Sequence, residues 1–92
     1  MQNKAKVDIL VDDFKDFNFA WEVSNLPIIC VYYNPSDYPG KYVARVFDVT
    51  VASKYVVVKD TLEEIRKAIP KNRFKRFVRR DNDDPVIVET YI

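Results

Sequence analysis

The stretch Ile28-Ile29-Cys30-Val31-Tyr32-Tyr33-Asn34-Pro35-Ser36-Asp37-Tyr38-Pro39-Gly40-Lys41-Tyr42-Val43-Ala44-Arg45-Val46-Phe47 decides the fold. Two runs rich in β-branched and aromatic residues flank a segment made of turn formers. Branched and aromatic side chains fit a pleated surface; Asn, Pro, Ser, Asp and Gly interrupt it, each for its own steric reason. Tyr38-Pro39-Gly40-Lys41 has the composition of a type II turn, in which proline presets φ at the first central position and glycine takes the positive φ at the second. Gly40 is the only glycine in the chain. Beyond it the side chains alternate, with Tyr42, Ala44 and Val46 on one side and Val43, Arg45 and Phe47 on the other. The reading is a β-hairpin from Ile28 to Tyr33 and from Lys41 to Val49, joined by a long ordered loop.

Outward from this hairpin, Tyr55-Val56-Val57-Val58-Lys59 predicts a third strand. Asp60 is then placed as a helix N-cap, with Glu63 three residues later as a capping box requires. Glu64 in the first turn and Lys67 near the end suit the helix dipole. Leu62, Ile65, Ala68 and Ile69 share a face and Pro70 stops the run, so a helix is predicted over about residues 61–69. So short a helix is marginal alone and must form by packing on a sheet. Val86 to Ile92 alternates and predicts a last strand; Val7 to Val11 predicts a first. The aromatic stretch Phe14, Phe17, Phe19 and Trp21 fits either a helix or an extended cover. The expected class is α+β: a mainly antiparallel sheet of about four to five strands with one short helix packed on one face. Residues 1–92 are read as a single domain.

Composition narrows the function. A chain of 92 residues buries about 60–65% of its unfolded surface, a real core with little spare stability. Fifteen cations against fourteen anions give a net charge of +1, which excludes a role resting on bulk charge of either sign. There is no histidine, so histidine-based metal sites and Ser-His or Cys-His triads are excluded. A single glycine provides no phosphate-cradling loop, and Ser24, Ser36 and Ser53 lie in no Gly-x-Ser-x-Gly elbow. Cys30, the sole cysteine, forms no internal disulfide; it is expected as a small buried hydrophobe in a reducing compartment. The basic first residues precede no long apolar run, so neither a signal peptide nor a membrane span is expected. These points predict a cytoplasmic, non-enzymatic protein without a cofactor.

The charge is unevenly placed. Lys71-Asn72-Arg73-Phe74-Lys75-Arg76-Phe77-Val78-Arg79-Arg80 holds six cations and no anion, so the rest of the chain carries −5. Lys71, Arg73, Phe74, Lys75, Arg76, Phe77, Arg79 and Arg80 are the candidate binding residues. Cations suit phosphates, and rings between them suit unstacked bases. An acidic protein face is the second reading. The third is a solvated edge whose phenylalanines anchor in the core and whose charges block edge-to-edge pairing. Tyr38 joins the candidates because the loop gathers Tyr32, Tyr33, Tyr38 and Tyr42, and tyrosine is favoured on binding surfaces. Asp81, Asp83 and Asp84 raise the alternative of a metal-dependent enzyme. They lack the twelve-residue spacing, glycine and closing glutamate of an EF-hand, and read better as a polar turn. Asp8, Asp12, Asp13, Asp16 and Glu22 read as a solvated acidic face.

Three motifs carry a resemblance. Asn34-Pro35-Ser36-Asp37-Tyr38-Pro39-Gly40-Lys41-Tyr42-Val43-Ala44-Arg45, then Asp60-Thr61-Leu62-Glu63-Glu64-Ile65-Arg66 through Ile69-Pro70, then Asp83-Asp84-Pro85-Val86-Ile87-Val88-Glu89 resemble a family of small uncharacterised proteins of Gram-positive bacteria, their phages and mobile elements. The likeness covers roughly residues 28–92 and brings no assigned activity. A mobile-element setting implies a protein that binds and inhibits host defence machinery, in the manner of an anti-CRISPR acting on an effector nuclease or its nucleic acid. The alternative is a small RNA- or single-strand-binding accessory protein.

Overall fold

The hairpin forms the centre of the sheet. The computed structural model describes residues 7–78 and 86–92. Its elements are β1 (Ile9–Leu10), α1 (Phe19–Glu22), β2 (Pro27–Tyr33), β3 (Tyr42–Asp48), β4 (Val51–Lys59), α2 (Leu62–Ala68), β5 (Arg76–Val78) and β6 (Ile87–Tyr91). The six strands run in the order β1-β4-β3-β2-β6-β5. The α+β class stands, with more strands than expected. The added strand is β5, inside the basic segment, and β4 begins upstream of the expected Tyr55. The pairs are antiparallel except β1 with β4, which is parallel, so the sheet is mixed.

The loop 34–41 follows the turn chemistry of its residues. Gly40 has φ +77° and Asn34 φ +57°. Lys41 N–H donates to the Tyr38 carbonyl at 3.2 Å, and the Asn34 side chain accepts from Gly40 N–H at 2.7 Å. Register then sorts the two faces, because directly paired residues point to the same side. Val31 pairs with Ala44, and Ala44 with Val57; all three are fully buried, beneath α2 and its Ile65, Ala68 and Ile69. Cys30, Tyr32, Val43 and Arg45 point the other way. Cys30 is half-buried rather than buried, although Val43 and Arg45 on the same face are buried.

The helix start differs from the expectation by one residue. Thr61, not Asp60, is the N-cap: its hydroxyl accepts from Glu64 N–H at 3.2 Å and donates to the Glu64 carboxylate at 3.0 Å. Asp60 instead takes an exposed ion pair with Lys41. A second short helix settles the aromatic stretch. Asn18 caps α1 by accepting from Trp21 N–H at 3.0 Å. Phe14, Phe17 and Phe19 pack edge-on or tilted with centroids 4.9–5.7 Å apart. Phe14 N–H donates to the Ala68 carbonyl at 2.8 Å, fastening this cover to the end of α2. No helix among the described residues is long and apolar enough to cross a membrane.

Candidate functional site

The basic segment begins as a turn and ends as an edge strand. Pro70 stops α2, and its carbonyl accepts from Arg73 N–H and Phe74 N–H at 3.3 Å each. Phe74 enters the core at 6% exposure, its ring 5.1 Å from that of Phe19. Lys75 and Ile92 then exchange both backbone hydrogen bonds, at 2.9 and 3.0 Å. Antiparallel pairs alternate between bonded and non-bonded. With Lys75 bonded to Ile92 and the register Arg76–Tyr91, Phe77–Thr90, Val78–Glu89, the backbone groups of Arg76 and Val78 point away from β6. Since β5 ends the sheet, they face outward along its edge.

The cations have different environments. Lys71 donates through Nζ to the Arg66 carbonyl at the C-terminal end of α2. Arg76 lies 3.5 Å from the Glu89 carboxylate. Arg73 stacks its guanidinium over Phe19 and Phe74, 5.2 and 5.7 Å from the ring centroids. Lys75 is exposed. Among the described residues, neither Arg73 nor Lys75 has an acidic partner. Phe77 shares the face of Lys75 and is 44% exposed. Of the two interleaved rings, then, one is a core residue and one is presented. Arg79, Arg80 and the trio Asp81, Asp83 and Asp84 lie outside the described residues.

Tyr38 is not part of this edge. Its hydroxyl donates to Asp8 at 2.8 Å, and burial followed by that hydrogen bond pushes its pKa above the usual tyrosine value. Asp8 also accepts both ends of the Arg45 guanidinium, at 2.9 and 3.0 Å. Arg45 is on β3, three strands from β5, about 14 Å across at the usual strand spacing. Asp8, read as solvated, is thus a buried ion-pair partner, its side chain and that of Arg45 each 10% exposed. The sequence offered no signal for this pairing, because the two residues are far apart in the chain.

A second buried network lies beneath the basic edge. Glu89 is 2% exposed. It accepts from Arg66 at 3.0 and 2.9 Å and from the Tyr91 hydroxyl at 2.8 Å. Burial alone would raise its pKa, but Arg66, Tyr91 and Arg76 outweigh burial and hold it below the usual carboxylate value. For Tyr91, burial and the Glu89 carboxylate push the pKa well above normal. Every polar atom of Glu89 is satisfied, so this network is an anchor joining α2, β6 and β5 rather than a poised acid. No family model, curated protein or solved structure matches the chain.

Proposed function

We propose that the chain is a non-enzymatic binding protein whose working surface is the β5 edge, and that it takes an acidic, extended segment of a partner protein by strand addition. The observation behind this reading is the outward set of backbone groups at Arg76 and Val78 on a terminal strand. Main-chain bonds along such an edge supply affinity, and side chains of alternate residues supply selection. Lys75 and Phe77 stand beside it on one face, and Arg79 and Arg80 follow in sequence, so an acidic strand is the complement. Burial of Phe74 counts against single-stranded nucleic acid, which would then have only Phe77 to stack on. The mobile-element resemblance makes a host defence effector, a CRISPR nuclease among them, the partner to try first.

The test is capture from nuclease-treated host lysate by the intact chain and two variants. Val78→Pro removes an outward N–H while sparing the bonds to β6, a position edge strands tolerate. The combined change Lys75→Glu, Arg79→Glu, Arg80→Glu reverses the charge. Arg76 is left alone, because a glutamate there would face buried Glu89. Both variants are expected to fold and to lose the partner. Undiminished capture by both would overturn the reading.

A further inference from the structure

Where β2 begins and β6 ends, an open cleft of about 480 Å3 lies among Leu26, Ile28, Val49, Phe74 and Ile92, with Arg73 the one charged side chain of its lining. That volume is within the range of small-molecule sites, roughly 300–1,000 Å3. Its apolar walls stand in water: Leu26 is 68%, Ile92 59% and Val49 48% exposed. Val49 is held there against its own preference. It opens the two-residue turn between Asp48 and Val51 with φ +56°. Glycine usually occupies a positive φ at that place in a hairpin, and a β-branched residue there is an outlier. Arg73 completes the arrangement. Its guanidinium carbon lies over the Phe19 and Phe74 rings, and no carboxylate among the described residues pairs with it.

We propose that this cleft binds a small amphipathic carboxylate, an aliphatic or aryl-alkyl acid. Its tail lies on Leu26, Ile28, Val49 and Ile92, and its carboxylate is hydrogen-bonded by Arg73. One planar guanidinium matches one carboxylate in bidentate geometry; a phosphate dianion would call for more donors than this lining has. The site is separate from strand addition at β5, since it uses neither the outward backbone of Arg76 and Val78 nor Lys75.

The probes are octanoate, octanol and octylammonium, titrated into isotope-labelled intact chain and followed by amide shifts. Octanoate is expected to give saturable shifts at Leu26, Ile28, Phe74 and Ile92. Octanol should bind about tenfold more weakly and octylammonium weaker still, as loss of one charge-assisted contact implies. Arg73→Gln should reduce octanoate to the level of octanol and leave octanol unchanged. The proposal fails if octanoate shifts do not saturate, if octanol or octylammonium matches octanoate, or if Arg73→Gln binds octanoate undiminished. Should Arg73→Gln lose its native spectrum, the octanoate–octanol comparison on the unaltered chain still decides.

Discussion

Two carboxylates far apart in sequence, Asp8 and Glu89, are each held by an arginine: Asp8 by the largely buried Arg45, and the buried Glu89 by Arg66, whose side chain is 40% exposed. A buried pair adds little over well-packed apolar residues, but removing one partner leaves a charge uncompensated at about 3–5 kcal/mol. Arg45→Met is therefore expected to destabilise the fold by roughly that amount, read from the denaturant midpoint. Glu89 makes the pH dependence specific. Its folded pKa is depressed, so the folded state binds its proton less readily than the unfolded chain. The stabilisation is fully present above the unfolded value, about 4.3, and is lost as pH falls through the folded value. Acid unfolding followed by circular dichroism should show a steepened loss below about pH 4, and Glu89→Gln should flatten it while lowering stability at neutral pH. Val49 gives a prediction of opposite sign. Val49→Gly relieves a positive φ and should be neutral or stabilising by about 1 kcal/mol, while taking away one wall of the cleft.

At the scale of elements, the helix shows how local chemistry is read correctly in kind and misplaced by one step. Asp60 and Thr61 are both good caps, and both have a glutamate three residues on. Lys41, arriving from the hairpin, takes Asp60 and leaves Thr61 to cap. Thr61→Ala should accordingly cost about 1 kcal/mol, and Asp60→Ala distinctly less, since its pair with Lys41 is exposed. Equal losses in a thermal or denaturant series would refute the assignment. The hairpin, its turn and the burial of Ile65, Ala68 and Ile69 were legible because each rests on residues close in sequence. The span from Phe14 to Glu22 was not: its conformation is fixed by Phe19 meeting Phe74 and Phe14 meeting Ala68, contacts no short window contains. The candidate edge was legible as a charge run, yet which ring it presents depends on the parity of β5 against β6. Phe74→Ala is expected to cost about 3–5 kcal/mol, whereas Phe77→Ala should stay within about 0.5 kcal/mol and act on binding alone.

For the whole molecule the question is how a chain of net charge +1, with six cations in ten residues and −5 elsewhere, would use that polarity. Two of the six are occupied, Lys71 by the Arg66 carbonyl and Arg76 near Glu89. Arg73 and Lys75 have no acidic partner among the described residues, and on the proposed reading they steer a partner together with Arg79 and Arg80, which follow in sequence. Steering and holding are separable in kinetics. If an acidic strand adds to β5, charge accelerates encounter and backbone hydrogen bonds hold the complex. Raising salt should then slow association and leave dissociation nearly constant, while Val78→Pro should accelerate dissociation and leave association unchanged. If the cations instead grip phosphates, each contact releases counterions and contributes about −0.7 to the slope of log affinity against log salt for a single strand, so four cations give a slope of about −3. In that case Val78→Pro would be silent, because phosphates need no strand edge. Surface-plasmon measurements of the captured partner across a salt series, with both chains, therefore assign the edge: a flat dissociation rate sensitive to Val78→Pro means strand addition, and a steep affinity slope insensitive to it means a nucleic-acid backbone.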